Sequence, residues 1–139
     1  MLVYVLGVSF ANNQWVLDRC REYQEEPYGF LDLWARGHYK STIITYAHTI
    51  FEIINDPEIT IGIFSHKLPI ARAFVVQIKT TLETNELLKE LFPDVLYANP
   101  QKESSKWTED RICVKRQSVR KEMTVEACGV VDGQPTGMH

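Results

Sequence analysis

The sequence predicts an α/β domain with a parallel sheet and flanking crossover helices. Two observations carry this. Apolar patterning runs strand, helix, strand, helix along the first two thirds of the chain, the order that builds parallel sheets. In addition, the 139 residues are 45% hydrophobic and 24% charged, a composition that fits one folded domain with a single core.

Taken in order, the elements start with a helix over residues 14–24, with Trp15, Val16, Leu17 and Cys20 on or near one face and Pro27 and Gly29 closing it. Residues 30–34, Phe-Leu-Asp-Leu-Trp, read as a short strand with apolar residues on both sides of Asp32. A helix follows from Ser41 or Thr42 to about Asn55. Its stripe is Ile43, Ala47, Ile50 and Ile54, and Asp56-Pro57 stops it. Residues 59–64, rich in β-branched side chains, form a buried strand. Pro69 suits the first position of the next helix, striped by Ala71, Phe74, Val75, Ile78 and Leu82. A shorter helix covers residues 86–92 and ends at Pro93. Beyond it, Ile112 with Val114, and Val125 with Ala127, alternate with polar residues as two short antiparallel strands around the basic run 115–121. Residues 129–137 read as a loop.

Bulk properties narrow the function. The formal net charge is -3, so contact with DNA would be local or shared with other parts. Cys20, Cys113 and Cys128 are far apart and odd in number, which speaks against a disulfide scaffold or a zinc site and for reduced thiols. The apolar start lacks the features of a signal peptide, and no stretch approaches the ~18 apolar residues of a membrane span. The expectation is a cytoplasmic protein.

The chemistry concentrates between strand 30–34 and the helix after it. A phosphate-binding loop needs a delivering strand, a tight turn with inward N–H groups, a lysine for the β and γ phosphates, and a hydroxyl for Mg²⁺. A helix must then present its N-terminus to the anion. Lys40 and Ser41 supply the lysine and the hydroxyl, with Thr42 next. In the register GxxxxGKS/T, Trp34 and Tyr39 replace the two glycines, and Gly37 alone keeps backbone freedom. The other reading is an ordinary strand-to-helix turn, with Lys40 solvated and Ser41 or Thr42 as N-cap.

The string LDLWARGHYKSTIITYA resembles the deviant Walker A loop of large terminase subunits from tailed phages and prophages. The segments WVLDRCREYQEEP, DPEITIGIFSHKLPIARAFVVQIK, LKELFPDVLYANPQ, KWTEDRICVKR and VEACGVVDGQPTGMH resemble successive blocks of the same ATPase domain, so the likeness spans the chain from about Gln14. It implies an ASCE-type P-loop NTPase fold over residues 1–139, with parallel sheet and flanking helices, incomplete at the C-terminal end. The strand closing in paired acids and the nuclease domain lie beyond His139 in the family pattern, so open sheet edges are expected.

By that resemblance the chain is the ATP-binding part of a motor that couples ATP hydrolysis to DNA translocation into a capsid. ATP and Mg²⁺ are the implied cofactors. Double-stranded DNA, the portal protein, the small terminase subunit and other copies in a ring are the implied partners. Lys40 and Arg36 are the implied catalytic residues. Arg36, Gly37, His38, Tyr39, Lys40, Ser41 and Thr42 would cradle the nucleotide, and Ser41 would hold Mg²⁺. A guanidinium at Arg36 suits a γ-phosphate because it binds bidentately and stays charged. Gln14 or Gln24 would read adenine, with Gln14 better placed at the helix start.

Other signals have plainer readings. His38, His48, His66 and His139 show no metal-ligand spacing. The run 115–121 reads as a solvated hairpin or as a DNA phosphate contact. Residues 65–67 read as a strand end, or as the relay of strand movement to DNA in such motors. Trp15 and Trp107 read as packing residues. Two further functions stand beside the motor: a degenerate, non-hydrolysing terminase fragment acting only as a protein-interaction module, and another P-loop enzyme such as a kinase or helicase, whose own motifs are not recognisable.

Overall fold

A computed structural model of the chain describes residues 6–9, 12–25, 31 and 33–131. The fold is mixed α/β, with a three-stranded sheet flanked by helices.

Helix α1 covers Gln14–Glu25, its start tied by Asn13 Oδ1, which accepts from the Val16 N–H at 3.0 Å. After the loop, a π-helical segment, Ser41–His48, runs without a break into α2, Thr49–Asn55. The predicted helix is thus present, but its first half is wound wider than an α-helix. That changes the phase of the stripe. Ile43, Ala47 and Ile50 are buried as expected, whereas Ile53, and not Ile54, is fully buried at the end. Strand β1 is Ile61–Ser65. Helix α3, Leu68–Thr84, has Pro69 in its first turn and buries Ala71, Val75, Ile78 and Leu82, the predicted stripe less Phe74, which is partly buried. Helix α4, Glu86–Leu91, is capped by Asn85 Oδ1, which accepts from the Leu88 N–H at 3.0 Å. A short helix α5, Pro100–Glu103, was not expected. Strands β2, Arg111–Ile112, and β3, Val125–Gly129, complete the sheet.

The strand order is β1-β3-β2. β1 and β3 are parallel, with Ile61 opposite Val125 and Ser65 opposite Gly129. β2 and β3 are antiparallel, with Arg111 opposite Glu126, as the alternating pattern of both segments predicted. The sheet is thus mixed, with the parallel pair β1–β3 beside the antiparallel pair β2–β3. α3 packs across β1 and β3, and the core forms there from Ile50, Ile53, Val75, Ile78, Leu82, Leu88, Ile112, Val114 and Val125. Each fully buried aliphatic side chain contributes about 1.5–3 kcal/mol by leaving water. Tyr46 links the π segment to α3 through its hydroxyl, 2.8 Å from Thr81 Oγ1.

The strand expected over 30–34 is the main correction. Phe30 and Asp32 lie outside the described residues, and Leu31, Leu33 and Trp34 take part in no strand. Leu31 and Leu33 are 83% and 85% exposed. A strand exists only where a neighbour takes up its N–H and C=O groups, and the described residues of this segment pair with none of β1, β2 and β3. Leu31 and Leu33 face solvent, while Trp34 packs beside Val16 and Ile43. Of the loop expected over 129–137, Gly129 instead closes β3, and residues beyond 131 lie outside the described region. No described helix is long and apolar enough to cross a membrane.

Candidate functional site

The loop between Leu33 and Lys40 reverses direction through two residues of positive φ, Gly37 at 85° and Tyr39 at 58°. Glycine adopts such a φ freely. Tyrosine does not: a left-handed conformation costs an L-residue about 1–2 kcal/mol. Tyr39 occupies the position where the phosphate-loop pattern has its second glycine. The local backbone therefore has the sign of φ that glycine serves in that pattern, with a bulky residue bearing the cost.

Lys40 follows at once in right-handed helical conformation, φ -49° and ψ -53°, and Ser41 opens the π segment. The first helical bond runs from the Ile43 N–H to the Tyr39 carbonyl at 2.9 Å. A left-handed residue beside a right-handed one turns successive N–H groups into the same concavity, the arrangement that receives anions. Arg36, Gly37, His38, Tyr39, Lys40 and Ser41 are all exposed, and Thr42 is partly buried. A side chain added at Gly37 would meet nothing within 4 Å, so this side of the loop is open. His38 Nδ1 lies 3.4 Å from the Arg36 carbonyl oxygen, which draws the loop together on itself.

Helix α1 braces this loop. Trp15 meets Trp34 edge-on at 4.9 Å between ring centres and His38 at 5.6 Å. Val16 and Ile43 bury a small second core beneath it, with Trp34, Ile44, Val8 and Cys20 packed around. Burial raises the Cys20 thiol above its ordinary pKa, which keeps it a protonated packing residue. At the far end of α1, Tyr23 tilts against His48 at 5.8 Å. The structure therefore sets the start of α1 beside the loop and its end against the π segment.

This placement separates the two glutamines. Gln14 is the first residue of α1, next to Trp15, and its Nε2 donates to Asp18 Oδ1 at 2.7 Å. Gln24 stands ten residues on, roughly 15 Å along the helix axis. Gln14 is the one beside the loop. The role of Trp15 and Trp34 in bracing the loop was missed in the sequence. The available signal was an aromatic residue at each of two element ends, which periodicity alone does not connect.

Among the described residues, no group of three or more His, Cys, Asp or Glu side chains could hold a metal ion by itself. The three cysteines are unpaired. The basic run 115–121 is not a simply solvated hairpin. Lys115 Nζ donates to the Pro93 carbonyl at 2.9 Å and lies 5.5 Å over the Tyr97 ring. Glu58 holds Gln117, Ser118 and Arg120: its carboxylate accepts from the Gln117 N–H at 2.6 Å, from the Ser118 N–H and from the Ser118 hydroxyl, while Arg120 Nη1 donates to the Glu58 carbonyl. The Ser118 hydroxyl bond, above all, holds the Glu58 carboxyl below the usual range. Trp107 is a packing residue, partly buried against the core with its Nε1 donating to Glu83 at 3.4 Å.

Comparison of the chain with protein-family models, with curated proteins and with solved structures gives no match.

Proposed function

We propose that residues 34–42 are the nucleotide-binding loop of a terminase-like packaging ATPase of the ASCE-type P-loop class, and that the chain supplies its ATP-binding part. The observation that supports this most is the left-handed backbone at Gly37 and Tyr39, followed directly by Lys40 and Ser41 in the first turn of a helix. An ordinary surface turn has no need of a strained tyrosine at that position.

The residues present fit ATP and Mg²⁺ in part. The open loop with its concave N–H groups suits a triphosphate. Lys40 would neutralise the β and γ oxygens, and Arg36, on the same loop, would clasp the terminal phosphate bidentately. Ser41 and Thr42 offer hydroxyls at the helix start, and Ser41 would be the hydroxyl ligand of Mg²⁺ beside the phosphate oxygens, with a carboxylate completing such a site. Gln14 would read the adenine. When bound, the nucleotide supplies the transferable γ-phosphoryl group. In such a motor the partners are double-stranded DNA, a portal protein, a small terminase subunit and further copies in a ring, in the host cytoplasm.

A second reading, a non-hydrolysing protein-interaction module, is favoured by one observation. Leu31 and Leu33, just before the loop, project into solvent. Such paired apolar residues suit a protein partner. Magnesium separates the two readings. Binding of a fluorescent ATP analogue should tighten on adding Mg²⁺, and Ser41→Ala should remove most of that gain. Binding indifferent to both would leave only the interaction module.

A further inference from the structure

A second cationic cluster lies at the carboxyl end of the parallel strand pair. β1 ends at Ser65 and β3 at Gly129, in register, and the Val130 N–H donates to the Ser65 carbonyl at 2.9 Å. Just beyond them, His66, Lys67, Leu68, Pro69, Arg72 and Val131 line a cavity of about 520 Å³. Every ionisable side chain in this lining is basic, and none is a carboxylate. His66 and Lys67 are exposed, while Arg72 is partly buried. The Nε of Arg72 is out of reach of solvent and has no hydrogen-bond partner. A charged donor left unpaired is costly, and the cost is relieved when an acceptor reaches the guanidinium. Asp110 lies outside this lining, and its Oδ1 accepts from the Thr108 hydroxyl at 2.7 Å.

In sheets with parallel strands, ligands settle outside the carboxyl ends of those strands. A guanidinium and an ammonium in one lining that holds no acid favour a phosphate oxyanion over a neutral ligand. We propose that this cavity is a phosphate-group site, separate from the loop at residues 34–42 and independent of the nucleotide reading. Lys67 and Arg72 are its binding residues, and His66 lines its mouth. The phosphate belongs either to a small anion or to a nucleic-acid backbone, two sources with the same chemistry.

The test uses the full chain and follows the backbone amide resonances of residues 66–72 by NMR. Inorganic phosphate is titrated in one arm and a short DNA duplex in the other. Saturable shifts at 66–72 are expected in the wild type and, undiminished, in Lys40→Ala. Lys67→Gln and Arg72→Gln should each weaken binding about tenfold, the loss of one charge-assisted contact. Shifts with both probes assign the site to a nucleic-acid backbone, and shifts with phosphate alone assign it to a small anion. Should Arg72→Gln fail to fold, Lys67→Gln, at an exposed position, decides alone. No shift at 66–72 with either probe, or unchanged affinity in the folded variants, overturns the proposal.

Discussion

Replacing Tyr39 by alanine and, separately, by glycine isolates the backbone strain on which the loop reading rests. Both variants lose the aromatic ring, so its contacts cancel in the comparison. What remains is the cost of a Cβ at φ 58°. Alanine bears about 1–2 kcal/mol there, and glycine bears none. Glycine loses about 0.5–1 kcal/mol of chain entropy relative to alanine on folding. The difference leaves Tyr39→Gly more stable than Tyr39→Ala by up to about 1.5 kcal/mol. At a residue of ordinary negative φ the order is the reverse, so the sign alone decides. Urea unfolding followed by circular dichroism, with equal slopes required in both variants, measures it. An alanine variant more stable than the glycine one, the order expected at negative φ, would refute the left-handed loop.

Two further predictions concern the frame around the site. The folded-state pKa of Glu58 lies below its unfolded value, so its contribution to stability is fully present above the ordinary glutamate range and is lost as pH falls through the depressed value. Urea midpoints should therefore drop on acidification, and Glu58→Gln should be less stable at neutral pH and flatter across that acid window; an unchanged pH profile in Glu58→Gln would contradict the clamp. Thr124 is fully buried and its Oγ1 accepts from the Val114 N–H at 3.1 Å. Thr124→Val keeps the shape but strands that donor, at about 1–3 kcal/mol, and a loss under 0.5 kcal/mol in thermal or urea unfolding would show the bond to be dispensable.

Legibility followed the range of the interactions. The α3 stripe was readable because Ala71, Val75, Ile78 and Leu82 recur at helical spacing and pack on one sheet face. The antiparallel neighbours β2 and β3 were readable because apolar residues alternate with polar ones around both, and a short stretch, 113–124, with the basic run in it, separates them. Unreadable were features set by distant partners. The π winding at Ser41–His48, a segment that contacts α1 and α3, moved the buried position from Ile54 to Ile53. The clamp of Glu58 on Ser118 joins residues sixty apart. The strand reading of 30–34 fails at Leu31, Leu33 and Trp34 because an apolar run records side chains and not the presence of a pairing strand. Within the site, Lys40 and Ser41 at a helix start were legible. The backbone sign at Tyr39 ran against the residue type, and only the structure could reveal it.

The measurement that bears most directly on the central claim is a titration with a fluorescent ATP analogue and Mg²⁺, run on this chain and on Lys40→Ala. Lys40 is exposed and begins the helix, so its loss should leave the fold intact. Saturable binding in the wild type that falls at least about tenfold in Lys40→Ala is the expected result, the worth of one charged contact to phosphate. Equal binding in both proteins, or none in either, would contradict the phosphate loop.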